Sequence, residues 1–251
     1  MKDKQILILG NTNLKLAIFS GEELKSIKKE TSNAKNVQNL EFVGADNLVV
    51  SVKPDLHEFL PQNKILTFFD KDLALQTFRI RGLYEEFGVD RLANLIAAMS
   101  IYPNNSVGVL DFGTCTTLSI LDWQNEEAVY KGGLIVPGMD CSFEYLSEKT
   151  ASLNKITDKD ILDLPLILDE IPRSAKESIL TGAVQQILFL TDYAIKLLSE
   201  TNYPCKLLFT GGWSYLVNEV LTKSQAYDKT LICYEPNLSL IGGNKYLDAT
   251  S

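Results

Sequence analysis

Val107-Gly108-Val109-Leu110-Asp111-Phe112-Gly113-Thr114-Cys115-Thr116-Thr117-Leu118-Ser119-Ile120-Leu121 sets a carboxylate, a glycine turn and several hydroxyls between two apolar segments. Val107 to Leu110 has the composition of a strand, Gly113 can take backbone angles that other residues avoid, and Thr117 to Leu121 resumes an extended pattern. The reading is strand, tight turn, strand. Two chemistries fit such a turn. Asp and Thr serve the local geometry of an ordinary β-hairpin. Alternatively, backbone N–H groups and hydroxyls receive an anion, with a cation between it and Asp111, as for a nucleotide with its metal.

A weaker copy of the same pattern stands at the N-terminus. Ile6 to Leu9 is an apolar strand, Gly10-Asn11-Thr12-Asn13 a turn, and Leu14 to Phe19 an alternating strand that ends at Ser20-Gly21-Glu22. Gly10 and Gly113 align, which predicts a duplicated lobe, chance likeness between two hairpins being the alternative. A chain of 251 residues suits two modest lobes better than one core. The expected division is 1–105 and 106–251, two facing lobes forming a cleft with a phosphate turn in each.

Composition narrows the function classes. Hydrophobic residues are 45% and charged residues 22%, as in folded soluble domains. With 24 Lys+Arg against 32 Asp+Glu the formal charge is −8, so no long-range field gathers nucleic acid or anionic lipid. An anionic ligand must be held by local groups. Cys115, Cys141, Cys205 and Cys233 form no C-x-x-C pair and His57 is the single histidine, which argues against zinc and against Ser-His-Asp or Cys-His catalysis. No stretch has the length of a membrane span and no leader is evident, so the expectation is a cytoplasmic chain with free thiols, no membrane and no nucleic acid partner.

Further elements follow from pattern. Asn47 to Val52 and Lys64 to Phe69 read as strands. Leu92, Leu95, Ile96 and Met99 mark one face of a helix over Arg91 to Tyr102, ended by Pro103-Asn104-Asn105, with Asp90 just before it. Val129 to Gly138 is a strand interrupted by Gly132-Gly133, the mark of a bulge or of a ligand close to the backbone. Phe143 to Lys149 fits a short helix, Thr150 to Glu170 is an unassigned connector, and Ser174 to Glu200 is the longest helix, its Gly182 suggesting a tight helix crossing. Lys206 to Thr210, Gly211-Gly212 and Trp213 to Thr222 make a strand, turn and helix of the kind that admits a nucleotide against its backbone. A strand over Thr230 to Tyr234 and a helix over Asn237 to Asp248 complete the chain.

In order, Gly10-Asn11-Thr12-Asn13, Gly88-Val89-Asp90-Arg91, Asp111-Phe112-Gly113-Thr114, Gly132-Gly133-Leu134-Ile135-Val136-Pro137-Gly138 and Thr210-Gly211-Gly212 resemble the motifs of the type III pantothenate kinases. The resemblance spans nearly the whole chain. It implies an α/β fold of two ribonuclease-H-like lobes, as in actin-like ATPases, with mixed sheets flanked by helices. It also implies phosphorylation of pantothenate by ATP, the first step of coenzyme A synthesis, in a homodimer that uses Mg²⁺ and K⁺ or NH₄⁺. Residue by residue, it makes Asp90 the general base for the pantothenate hydroxyl and puts Gly88, Val89 and Arg91 against the substrate, Arg91 being suited to a bidentate carboxylate clamp. Read without the resemblance, Asp90 is a helix cap. Gly10, Asn11, Thr12 and Asn13, with Lys15 as a neighbour that alternation can send to solvent, correspond to one ATP turn; Gly113 and Thr114 to the other; Gly211 and Gly212 to the adenosine side; Asp111 to the monovalent cation.

The chain departs from the pattern at three places. The first motif, D-x-G-N-T in the family, has Ile8 for its Asp, and an apolar side chain cannot orient Mg²⁺ or its waters. The substrate threonine falls on Ala175, with Ser174 one residue earlier as a substitute, and the Tyr and Pro that usually precede G-x-D-R are absent, with Tyr84 as a stand-in. The alternatives are therefore a catalytically silent relative with a binding or regulatory role, and a related sugar or acetate-type kinase.

Overall fold

The computed structural model describes residues 3–44, 46–150, 153, 155–156, 160, 171–201, 203–224, 227–228 and 230–251. Most of the connector over 151–170 lies outside them. Strand β1 (Asp3–Leu9) pairs antiparallel with β2 (Asn13–Ser20) and parallel with β4 (Asp46–Ser51). β3 (Glu23–Thr31) adds to β2, and the two-residue β5 (Thr67–Phe68) adds parallel to β4, giving the order β3-β2-β1-β4-β5. One face buries Leu7, Leu9, Leu14, Leu16 and Val49 with Val37 of helix α1 (Ala34–Gln38) and with Leu56 of a 3₁₀ turn over Pro54–Phe59. Because side chains alternate along a strand, Ile6, Leu48 and Val50 face the other way, toward Gly243 of the terminal helix.

The second sheet contains β7 (Ser106–Phe112), β8 (Cys115–Gln124), β9 (Glu127–Pro137), β10 (Cys205–Thr210), β11 (Ile232–Tyr234) and the short β6 (Ile80–Arg81), in the order β11-β10-β7-β8-β9-β6. Apart from β6 this repeats the first order, with β7 in the place of β1. β10 and β11 run parallel beside β7 as β4 and β5 do beside β1. The duplication read from Gly10 and Gly113 is thus a duplication of strand order, and the fold is the expected α/β architecture of two mixed sheets flanked by helices.

The remaining described helices are α2 (Lys71–Thr77), α3 (Val89–Ile101), α4 (Met139–Lys149), α5 (Ala175–Ser199), α6 (Ser214–Ser224) and α7 (Leu238–Thr250). The chain divides into two compact units: residues 1–105, 121–131 and 237–251 form the first, 106–120 and 132–236 the second. Sequence order would keep the last helix with residues 106–251. Instead α7 lies along α3, and it can do so because its glycines carry no side chain. A Cβ on Gly242 would stand 1.8 Å from the Ala93 carbonyl oxygen, and one on Gly243 2.6 Å from Ile6 Cγ2. The tight helix crossing expected at Gly182 is found here instead. Gly182 itself meets nothing within 4 Å and borders a cavity of about 270 Å³ between α4 and α5.

Other differences have local causes. β3 carries mostly exposed Lys and Glu, so no apolar alternation announces it; pairing with β2 makes it a strand, and its charges suit a sheet edge. The strand expected over Lys64 to Phe69 contracts to Thr67–Phe68, with Ile65 exposed. Helix α3 begins at Val89 with Gly88 as its N-cap, so Asp90 lies in the first turn rather than before it.

Candidate active site

In the first unit, the Gly10 turn closes when the Gly10 N–H donates to Asn13 O at 3.1 Å, and Thr12 O accepts from Ser32 N–H at 2.8 Å. A Cβ on Gly10 would come 2.9 Å from Asn13 O, so the turn needs glycine there. Asn11, Thr12 and Asn13 are exposed. Ile8 is 6% exposed and sits opposite Lys15 of β2 and Val50 of β4. Cross-strand partners share a face, so Lys15 projects on the side of Ile8 and not away from it.

The Gly88-Val89-Asp90-Arg91 segment makes the most structured cluster. Asp90 Oδ1 accepts from the Arg91 backbone N–H at 2.8 Å, folding the carboxylate over the open end of α3. A Cβ on Gly88 would lie 2.6 Å from that same oxygen, so glycine at 88 makes room for the carboxylate. Burial pushes the Asp90 pKa above the usual carboxylate range, outweighing the Arg91 N–H and charge, which pull it down. Arg91 is 7% exposed; its Nη1 donates to the Tyr84 hydroxyl at 2.7 Å, and its guanidinium lies 4.3 Å over the Phe87 ring. Lys71 holds the Tyr84 loop by donating to Tyr84 O at 3.0 Å and to Glu85 O. Tyr130 closes the cluster with its ring 5.2 Å from Phe87 and 6.2 Å from Tyr84.

In the second unit, three glycines converge on the Asp111 turn. Asp111 pairs with Thr210 across β7 and β10, and Gly211 follows at φ +94°. A Cβ on Gly211 would fall 2.5 Å from Asp111 Oδ1 and 2.6 Å from Phe112 N. Gly138 donates to Thr114 O at 3.0 Å, and its Cβ would strike Gly113 O at 2.2 Å. Trp213 N–H reaches Phe112 O at 3.1 Å while its Nε1 donates to Asp140 at 2.9 Å, fixing the start of α6 and α4 to the turn. Gly212 has open space where a side chain would be. Gly132 does as well, at φ +123°, a backbone conformation that favours glycine. Ser174 is the N-cap of α5 in a capping box: its Oγ accepts from Glu177 N–H at 3.2 Å, and the Glu177 carboxylate accepts from Ser174 and Arg173 N–H. Ala175 is exposed at the first helical position.

The structure thus gathers Tyr84, Gly88, Asp90 and Arg91 in one unit and Asp111, Gly113, Thr114 and Gly211 in the other. Phe87 and Tyr130 are the additions that sequence reading missed. Phe87 directly precedes Gly88, and Tyr130 sits two residues before Gly132-Gly133 on an alternating strand, but nothing in spacing links β9 to α3. That link is made by β6, which pairs parallel with β9 at Ile80–Ala128 and Arg81–Val129. Among the described residues, no group of three or more His, Cys, Asp or Glu is placed to hold a metal ion.

Duplicated strand order with glycine-lined turns and a half-buried carboxylate in the first turn of a helix gives the actin-like fold class. The comparisons specify it further. A family model described as type III pantothenate kinase matches residues 6–196. The type III pantothenate kinase of Christiangramia forsetii is 30% identical over 223 residues, covering 86% of this chain and 88% of that protein. That of Thermosipho africanus is 27% identical over 241 residues, covering 89% and 92%. The chain belongs to the type III pantothenate kinase family. Solved structures show the fold more widely. The ethanolamine utilization protein EutJ of Carboxydothermus hydrogenoformans matches with TM-score 0.54 at 11% identity, over 97% of this chain and 89% of that one. Component A of the (R)-2-hydroxyglutaryl-CoA dehydratase of Acidaminococcus fermentans matches with TM-score 0.52 at 12% identity, over the full length of both. No helix among the described residues is long and apolar enough to cross a membrane.

Proposed function

We propose that the protein transfers the γ-phosphoryl group of ATP to the primary hydroxyl of pantothenate, giving 4′-phosphopantothenate. The observation that carries this reading is Asp90, a carboxylate held over the start of α3 beside Arg91 with its pKa raised by burial. Phosphoryl transfer asks little of a base early on. Its transition state is loose, and the acceptor hydroxyl loses its proton late, so a carboxylate whose proton affinity is raised suits the task. Asp90 orients the hydroxyl and takes its proton. Arg91 binds the pantothenate carboxylate, and Gly88 and Val89 line the acceptor. The turns at Gly10–Asn13 and Gly113–Thr114 receive the nucleotide phosphates through backbone N–H groups, and Gly211–Gly212 lie against the adenosine.

The two cations of this reaction class fare differently. Asp111 offers a carboxylate pressed against the Gly211 backbone, an oxygen donor of the type K⁺ or NH₄⁺ takes, and a cation there would neutralise phosphate charge. The first turn offers nothing comparable to Mg²⁺, because position 8 is a buried isoleucine. A homodimer in the cytoplasm completes the proposal.

The test is ADP release from ATP with pantothenate, with and without K⁺ and Mg²⁺, for the wild type and Asp90→Asn. The expected outcome is pantothenate-dependent turnover that the variant loses while keeping its fold; equal turnover in the variant removes Asp90 as base. Ile8 favours one other reading, a silent family member that binds ligands without turnover. Calorimetric binding of ATP and pantothenate with no ADP release, and activity appearing in Ile8→Asp, would establish it.

A further inference from the structure

Val50, Ile8, Lys15 and Lys29 form one row across β4, β1, β2 and β3, at the end of the first sheet that carries the Gly10–Asn13 turn. Directly paired residues project from the same face of a sheet. Along this row Val50 and Ile8 are buried, Lys15 is half-buried and Lys29 is exposed. One step nearer the turn, Asn13 pairs with Thr31 on that same face, and both are exposed.

Lys15 opposite Lys29 is a pair of like charges. With Cβ atoms about 5 Å apart, such a pair destabilises an antiparallel sheet. The other lysines of β3 avoid this cost by facing acids. Lys25 is ion-paired with Glu23 at 2.6 Å and Lys28 with Glu30 at 3.1 Å, whereas the neighbours of Lys29 along its own face are Ile27 and Thr31. A chain with a formal charge of −8 therefore sets two lysines side by side next to a turn that corresponds to a nucleotide phosphate site. An anion between them offsets the repulsion. The same row explains what Ile8 leaves undone: a carboxylate at position 8 would orient a divalent cation or its waters, and isoleucine cannot. Two ammonium groups carry the charge of one divalent cation, and each is a compact charge with three donors for phosphate oxygens.

We propose that Lys15 and Lys29 take the place of a protein-held divalent cation at the first nucleotide turn: they bind the nucleotide's phosphate charge directly, so the turn accepts metal-free nucleotide at least as well as its Mg²⁺ complex. This rests on the nucleotide reading given above.

The experiment is calorimetric measurement of the Kd for ATP, once in excess EDTA and once in saturating Mg²⁺, for the wild type, Lys15→Met, Lys15→Arg, Lys29→Met and Ile8→Asp. The wild type is expected to bind as tightly in EDTA as in Mg²⁺, or more tightly. In EDTA, Lys15→Met should weaken binding about tenfold, the scale of a hydrogen bond between charged groups, and Lys29→Met about threefold, the scale of an exposed ion pair. Lys15→Arg keeps the charge and should bind as the wild type does, and Ile8→Asp should reverse the preference in favour of the Mg²⁺ complex. Without nucleotide, Lys29→Met should melt no lower than the wild type, because it removes a like-charge pair; a merely structural lysine would lose stability and binding together. A wild type that binds the Mg²⁺ complex more than threefold tighter than metal-free ATP, or lysine-to-methionine variants that both bind metal-free ATP as the wild type does, would overturn the proposal and leave the nucleotide reading standing. A wild type that binds ATP under neither condition overturns both.

Discussion

Gly182 and Gly242 both lie inside helices, and the same substitution at each should have opposite effects. At Gly242, alanine would bring Cβ within 1.8 Å of Ala93 O and 2.5 Å of Ala93 C, where ordinary contact begins at 3.4 Å. The obstacle is backbone of α3, so no rotamer change relieves it, and the helices must separate by roughly 1.5 Å along a fully buried seam. Overpacking of this kind costs about 1–3 kcal/mol, and a backbone clash belongs at the upper end. Replacing a mid-helix glycine returns about 1 kcal/mol of helix propensity, leaving a net loss of about 2 kcal/mol. At about 2–4 °C per kcal/mol for chains of this size, Gly242→Ala should melt roughly 4–8 °C below the wild type. At Gly182 nothing lies within 4 Å, so only the propensity term of about 1 kcal/mol remains, and Gly182→Ala should melt about 2–4 °C higher. Differential scanning calorimetry of both variants in one buffer decides the matter. A Gly242→Ala protein as stable as the wild type, or both variants shifting the same way, would refute the packing described for α3 and α7.

Asp90 supplies two more predictions. Its native pKa lies above the unfolded value, so the folded chain holds this proton more tightly; stability falls as pH rises from the unfolded carboxylate pKa through the raised native one and stays lower beyond it. Asp90→Asn should therefore melt higher than the wild type at neutral pH, with the gap closing below the unfolded pKa, as read by melting curves across pH 3 to about 8; a gap independent of pH would contradict the raised pKa. For the same reason the acid limb of kcat/KM should lie above the ordinary aspartate range, because the base works only when ionised. Ser174→Ala removes the α5 cap and should cost about 1 kcal/mol, measurable by urea unfolding.

Legibility in the sequence tracked the source of the information. Strands β1, β2, β7 and β10 are readable because each is an apolar run ending in a glycine-bearing turn, β8 because it resumes the extended pattern after Gly113, and the duplication shows at Gly10 and Gly113. β3 is not, since Glu23 to Thr31 is a strand only by pairing. Gly242-Gly243 and Gly182 carry the same local signal, a helix weakened by glycine, and nothing local says which one meets a neighbouring backbone. At the site, Asp90 and Arg91 stand out by motif, but Gly88 owes its need for glycine to the Asp90 carboxylate, and Tyr130 comes beside Phe87 on a strand whose two-residue pairing with β6 no period reveals. Ser174, the stand-in for a substrate hydroxyl, also caps α5, a role that only the local backbone geometry reveals.

The assignment of α7 to the first unit bears on how the chain is made. Residues 106–236 include all of the second unit, so a ribosome has released that unit complete while the first still lacks the helix that covers α3. Until Leu238–Thr250 emerges, the face of α3 around Ala93 has no α7 to cover it, a surface suited to chaperone capture. Gly88 to Arg91 begin α3, so the segment bearing Asp90 should gain protection from hydrogen exchange only after Leu238–Thr250 has been made, although it is translated well before.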